Sequence, residues 1–165
     1  MQNSCLGRPT LAAGLVAMAA LVPVAAPTAQ AASPFPTLHG SWSGSGQIQF
    51  EGGQTERLRC NAYYTSSESG ARLGLAIRCA SASNRIEIRG QLDYRAGSVS
   101  GTWEERTFNA TGTATGRASD SRVSLRLAGA IPGAMNVSVS RSRQSVAINT
   151  QGTAIKTVRI GLSRR

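Results

Sequence analysis

Few side chains in this chain of 165 residues are of types that perform acid–base or nucleophilic chemistry. His39 is its only histidine, so a histidine-based nucleophilic site would have to use it. It lies beside Gly40 and Trp42, ahead of the first predicted strand, where packing or exposure is its ordinary role. Gly-x-Ser-x-Gly, phosphate-loop and dinucleotide patterns are absent, and no His, Cys, Asp and Glu cluster has metal-ligand spacing. We therefore predict a protein that is not an enzyme and that uses no metal or cofactor.

Glu105 is the carboxylate whose position points most clearly to a function. Alternation along its strand places Glu105 on the same inward side as Val99, Gly101 and Trp103, and places the adjacent Glu104 outward. A buried carboxylate needs hydrogen-bonding or ionic partners, which makes Glu105 a candidate site residue. A solvated strand end, or a bulge that turns the side chain outward, would leave it without a special role.

Strict alternation of apolar and polar residues runs through most of the chain after residue 40, which is typical of strands with one buried face. Short turn signals such as Ala96-Gly97 and Pro132-Gly133 separate the runs. The stretch Thr107–Ala118 is rich in Gly and Thr and is compatible with a strand, a bulged strand or a loop. We predict an all-β domain, a single antiparallel meander barrel of about eight or nine strands, with a two-sheet sandwich as the alternative.

Large and small residues alternate with each other in the predicted interior. Such a mixture either leaves a pocket or interdigitates as a filled core, and the sequence leaves both readings open. The candidate interior or mouth residues are Trp42, Tyr64, Tyr94, Trp103 and Glu105.

Cys60 and Cys79 fall on the apolar face of consecutive strands, and their midpoint lies in a predicted turn between Ser69 and Gly70. They should therefore face each other directly in one hairpin, within reach of a disulfide. The competing reading is two reduced core cysteines.

Arginines supply nearly all of the positive charge, and the formal net charge is +10. Arginine binds phosphates and carboxylates through a bidentate fork, so we expect an anionic partner such as lipid, lipopolysaccharide or polysaccharide. Poor aromatic interleaving argues against nucleic acid. The alternative is a solvated basic surface. Six arginines share the polar face of three consecutive strands and form the candidate anionic-partner face: Arg57, Arg59, Arg72, Arg78, Arg85 and Arg89.

The N-terminus has the three parts of a secretory signal. Arg8 precedes the uncharged run Leu11–Ala26, and Ala29-Gln30-Ala31 fits the small-x-small cleavage rule. The run is short for a transmembrane helix and contains Pro23. We predict a cleaved signal peptide (1–31), an N-terminal segment (32–39) and a barrel domain (40–165), exported to the periplasm or secreted and without a transmembrane anchor after cleavage.

The chain resembles a group of uncharacterised exported proteobacterial proteins in the runs LHGSWSGSGQIQF, LRCNAYY, IRCAS and SVSGTWEERTFNATG. These proteins combine a signal peptide, two cysteines and two Gly-x-Trp strands. Gly40-Ser41-Trp42 is more distantly similar to the first-strand motif of lipocalin and avidin barrels. We predict that Trp42 is a buried anchor at the closed end of the barrel. The lipocalin resemblance implies that an arginine of the last strand, Arg159 or Arg164, stacks over its ring.

Together these features predict an exported, non-enzymatic binding or envelope-associated barrel. Its partner is expected to be an anionic surface or a small apolar ligand at the barrel mouth. The alternative is an inhibitor or interaction module that acts on another exported protein through its loops.

Overall fold

The computed structural model describes residues 32–165, and the predicted signal peptide lies outside the described residues. A short helix, α1 (Phe35–Leu38), precedes the sheet. The strands are β1 (Gly40–Phe50), β2 (Thr55–Ser66), β3 (Arg72–Ala80), β4 (Arg85–Arg95), β5 (Ser98–Glu105), β6 (Ala110–Ser119), β7 (Arg122–Gly129), β8 (Gly133–Val139), β9 (Arg143–Thr150) and β10 (Ile155–Arg164).

Every strand pairs antiparallel with its neighbours in sequence, and β10 returns to pair with β1, so the sheet is a closed barrel. Closure gives each strand two hydrogen-bonded partners and leaves no exposed sheet edge. The predicted all-β antiparallel barrel is therefore confirmed, and the two-sheet sandwich is excluded. The expected number of eight or nine strands is wrong, because the described residues form ten.

The ambiguous stretch Thr107–Ala118 contributes β6, which pairs with β5 and β7 along its whole length. Its inward positions are occupied only by glycine and alanine, so the apolar alternation that marks the other strands is weak here. The Trp103 ring covers this thin wall, since a Cβ added at Gly112 would lie 2.7 Å from it. β6 has no large apolar side chain of its own that would mark it as a strand in the sequence. The neighbouring strand β5 supplies the large side chain that covers it.

Two glycines permit the close approach of β1 to β10 at the point where the barrel closes. A Cβ at Gly44 would lie 2.0 Å from the carbonyl oxygen of Gly161, and one at Gly46 would lie 2.0 Å from that of Arg159. An approach this close is possible only where the strand carries no side chain. Neither position therefore accommodates any other residue without movement of the backbone.

The disulfide between Cys60 and Cys79 is confirmed. The two residues are direct partners in the β2–β3 register, and their Cα atoms are 4.1 Å apart. Both are buried in the barrel wall. A bridge across this sequence separation stabilises the fold by roughly 3 kcal/mol in the chain-entropy treatment.

The end of the barrel where β1 begins is closed by α1, and we call it the closed end. Phe35 and Leu38 point into the barrel and are buried, and the Trp42 indole N–H donates to the Leu38 carbonyl at 2.7 Å. The Arg164 guanidinium lies 4.4 Å from the centre of the Trp42 ring. It also donates to the carbonyls of Thr37 and His39. The arginine that the lipocalin resemblance implied is thus Arg164, and it fastens the helix to the last strand.

We expect Trp42→Ala to lower the free energy of unfolding by about 3–5 kcal/mol, because Trp42 is fully buried and contacts both α1 and Arg164. Chemical denaturation monitored by circular dichroism measures this loss. The matched control is Trp103→Ala, at the other tryptophan, which is only half-buried and should cost less. Equal losses for the two variants would contradict the anchoring role of Trp42.

Candidate functional site

An apolar cavity of about 130 Å³ lies inside the barrel. Several inward-facing side chains along its wall are only half-buried. These half-buried apolar lining residues are Leu75, Ile88, Trp103, Leu127, Met135 and Ile155. The interior is therefore partly hollow, which resolves the choice between filled and hollow that the sequence left open.

The distribution of large and small residues explains why one side of the interior is empty. Trp42, Ile48 and Leu58 on β1 and β2 are fully buried and pack the side next to the closure. Ala114 on β6, in the opposite wall, lines the cavity with a single methyl group, and Gly90 on β4 lines it without a side chain. These two positions fill little of the interior.

The loops at the end opposite α1 form the mouth of the cavity. Phe108, in the β5–β6 loop, is 55% exposed although its ring lines the cavity. Ile131, in the β7–β8 loop, and Ile155, at the start of β10, line it as well. Exposed apolar side chains at the rim of an apolar cavity are typical of a ligand entrance.

Glu105 is buried and inward, as the alternation predicted, and holds this mouth in shape. One of its carboxylate oxygens accepts from the backbone N–H of Glu87 at 2.8 Å, and the other accepts from the N–H of Phe108 at 2.7 Å. Both oxygens are thus engaged by backbone groups of β4 and the β5–β6 loop. This arrangement assigns Glu105 a positioning role, because it fixes the loop that presents Phe108.

Tyr64 and Gln144 form a polar pair in the cavity wall toward the closed end. The Gln144 Nε2 group donates to the Tyr64 hydroxyl oxygen at 2.8 Å, across the barrel from β9 to β2. Burial raises the pKa of Tyr64 to about 12, although the hydrogen bond from Gln144 opposes the shift. The phenol therefore remains neutral over the physiological range. Gln144 Oε1 is buried without a hydrogen-bond partner among the described residues.

The predicted interior aromatic residues divide into two groups. Tyr64 and Trp103 line the cavity, and the Trp103 indole N–H donates to the Thr113 carbonyl at 3.1 Å. Trp42 lies in the packed region, and Tyr94 meets Phe35 edge to face with ring centres 6.0 Å apart. Sequence reasoning missed Gln144 and Phe108. A polar residue at the inward position that precedes Val146 and Ile148 was the available signal for Gln144.

The arginines of the candidate anionic-partner face differ in their ionic partners. Arg78 and Arg89 both bind Glu87, at 3.4 and 3.0 Å, and Arg106 joins them at 3.6 Å. The hydrogen bond from Arg89, with the charges of Arg78 and Arg106, holds the pKa of Glu87 below its usual value. Arg72 lies six residues along β3 from Arg78, about 20 Å away, opposite Asp93.

The other three arginines, Arg57, Arg59 and Arg85, are exposed near the mouth end of the barrel. Arg59 and Arg85 flank Ala80 across two strand pairs, about 10 Å apart. None of the three forms an ion pair with a described residue. They are the part of the predicted face whose charge is not neutralised locally.

His39 lies outside the cavity, at the closed end, where its Nδ1 accepts from the backbone N–H of Ser66 at 3.2 Å. Within residues 32–165, no three His, Cys, Asp or Glu side chains are grouped so that they could hold a metal ion. The same part of the chain contains no helix with the length and apolarity required to cross a membrane.

Several solved structures share this fold, and two of them illustrate the similarity. One is the crystal structure of Rv2717c from M. tuberculosis, 14% identical, with a TM-score of 0.63 over 78% of this chain and 93% of that chain. The other is the S-type phycobiliprotein lyase CPES from Guillardia theta, 13% identical, with a TM-score of 0.52 over 79% and 89%. No family model and no curated protein sequence matches the chain. The lipocalin-like barrel is confirmed as a fold, and the resemblance to exported proteobacterial proteins gains no support from a family model.

We expect Tyr64 to ionise with a pKa of about 12 in the folded protein, because its phenolate would be buried in an apolar wall. An unfolded tyrosine ionises near pH 10, so stability should fall between pH 10 and about 12 as only the unfolded chain loses this proton. Tyrosinate absorbance of the wild type minus that of Tyr64→Phe isolates the transition, and Tyr63→Phe is the control. A Tyr64 transition near pH 10 in folded protein would contradict the burial.

Proposed function

We propose that this protein is a non-enzymatic binding protein that takes a small apolar ligand into its barrel. The observation that supports the proposal is the apolar cavity with its half-buried walls and exposed mouth residues. Transfer of an apolar ligand from water into such a site is favourable because it removes apolar surface of both ligand and wall from water. A dry apolar cavity of about 150 Å³ accepts benzene, so about six to eight heavy atoms fit here.

The arrangement of polar groups favours binding over catalysis. Both oxygens of Glu105 are occupied by backbone N–H groups, and His39 is at the opposite end of the barrel. A general acid or base needs a free atom within hydrogen-bonding reach of the substrate. A catalytic role is the alternative suggested by the lyase named among the similar structures, although at 13% identity that similarity concerns the fold alone.

Export is part of the same proposal. The signal-like N-terminus and the Cys60–Cys79 disulfide both support it, because disulfides persist mainly in oxidising compartments. The ligand would then be met in the periplasm or outside the cell.

We expect ethylbenzene to bind the wild-type protein with a dissociation constant on the order of 0.1 mM, the affinity typical of so small a ligand. Ala114→Leu should weaken binding at least about tenfold, because the added carbons occupy the cavity that Ala114 lines. Isothermal titration calorimetry measures both constants. Thr115→Leu, the next residue on the outer face of β6, is the matched control and should bind as the wild type does.

Absence of ethylbenzene binding to the folded wild-type protein would refute the ligand-binding proposal. An anionic partner and an interaction module acting through its loops would then be the remaining hypotheses.

An anionic partner is a second candidate, favoured by the exposed Arg57, Arg59 and Arg85 near the mouth, which form no ion pair within residues 32–165. Exposed charges attract a polyanion at low ionic strength and are screened within about 8 Å at physiological salt. This surface would place the mouth of the cavity against an anionic layer such as lipid or lipopolysaccharide.

We expect the protein to bind vesicles of anionic phospholipid at low salt and to dissociate as salt rises. Replacement of Arg57, Arg59 and Arg85 by Gln should weaken binding in a vesicle co-sedimentation assay without loss of stability, because all three side chains are exposed. Replacement of Arg117, Arg122 and Arg126, exposed on β6 and β7, is the control of equal charge. Equal weakening by the two triple variants would mean that net charge, and not this surface, determines binding.

A further inference from the structure

A residue of the cavity wall contains one buried polar atom without a hydrogen-bond partner among the described residues. Gln144 is only 4% exposed, lines the cavity and uses its Nε2 group to reach Tyr64, while its Oε1 atom has no partner among the described residues. A buried amide oxygen without a hydrogen bond is costly, and buried polar atoms are nearly always paired in native proteins. A group that enters the cavity with the ligand would supply the missing partner.

The chemistry of that group follows from the pair itself. With the amide placed as described, Oε1 needs a donor. If the amide oxygen and nitrogen exchange places, the Tyr64 hydroxyl donates to Oε1, and Nε2 becomes the atom that needs an acceptor. A hydroxyl group both donates and accepts, so it satisfies either orientation of the amide. A carbonyl or an ether oxygen only accepts a hydrogen bond, so it satisfies only the orientation in which Nε2 needs an acceptor.

Charge excludes an acidic ligand group. None of the described residues that line the cavity is Arg, Lys or His, and the one charged lining residue is Glu105. A carboxylate at Gln144 would therefore be buried without a counter-ion, which is strongly unfavourable. The ligand must be neutral at the end that reaches the Tyr64–Gln144 pair.

We propose that the ligand is a neutral amphiphile, an apolar body with one hydroxyl group, which enters hydroxyl first and hydrogen-bonds Gln144. The inference rests on the proposed function and specifies its ligand class. The apolar body contacts the walls formed by Leu75, Ile88 and Leu127, and any further length of the ligand leaves past Phe108 at the mouth. Gln144 thus determines specificity, and the apolar walls provide affinity.

Three probes of similar size test this assignment by calorimetry: benzyl alcohol, ethylbenzene, in which a methyl group replaces the hydroxyl, and benzoate. The quantity of interest is the affinity for benzyl alcohol relative to that for ethylbenzene. In Gln144→Met, which keeps the length of the side chain and removes the amide, this ratio should fall about tenfold. Ethylbenzene should bind the variant at least as well as the wild type. Gln91→Met, on the exposed face of β4, should leave both affinities unchanged.

The outcomes separate this inference from the proposed function. If ethylbenzene and benzyl alcohol bind but their ratio is the same in the wild type and Gln144→Met, the hydroxyl assignment is wrong and the binding function stands. Benzoate binding tighter than benzyl alcohol would also overturn it. If no probe binds the folded wild-type protein, the proposed function fails as well.

A second measurement needs no variant at Gln144. Benzyl alcohol should shift the side-chain amide resonances of Gln144 in the NMR spectrum of the wild-type protein, whereas ethylbenzene should shift them much less. Equal shifts with the two probes would contradict a hydrogen bond to the hydroxyl group.

Discussion

Pairing of β10 with β1 is the constraint on which the rest of the molecule depends. Without it, a ten-stranded sheet would leave two long edges with unpaired backbone groups, and its apolar face would lie open to water. Gly44 and Gly46 allow the two strands to approach closely, and Arg164 then reaches Trp42 and the carbonyls of Thr37 and His39 at α1. The glycines of β1 therefore allow it to pair with β10, and Trp42 of the same strand packs under Arg164 to seal the closed end of the barrel.

Closure also creates the cavity. A ring of ten strands encloses more volume than its inward side chains fill, and the fully buried Trp42, Ile48 and Leu58 pack the side formed by β1 and β2. Cys60, Cys79 and Trp42 are not among the residues that line the cavity, so the empty volume lies away from the disulfide and the Trp42 anchor. Stability and binding are thus assigned to different sides of one interior. Variants of the cavity wall should consequently disturb the fold less than variants of the packed side.

Residue alternation predicted the features that depend on a contrast between apolar and polar residues along a strand. It located most strands, the inward position of Glu105 and the pairing of Cys60 with Cys79. β6 remained ambiguous, because glycine and alanine give no contrast. The cavity and the Tyr64–Gln144 pair could not be derived, since they depend on contacts between residues 80 positions apart. Alternation also identifies a face without its full register. The sequence could therefore suggest Glu87 as a neutralising residue, while its two partners, Arg78 and Arg89, became visible only in the structure.

The central claim is that the barrel holds an empty apolar cavity that a ligand enters from the mouth. A crystal structure determined under xenon pressure tests it most directly, because xenon binds dry apolar cavities of this size. The account predicts xenon density inside the barrel between Leu75, Leu127 and Met135, with the surrounding side chains unmoved. A barrel interior without xenon, filled by side chains that have closed over the cavity, would contradict it.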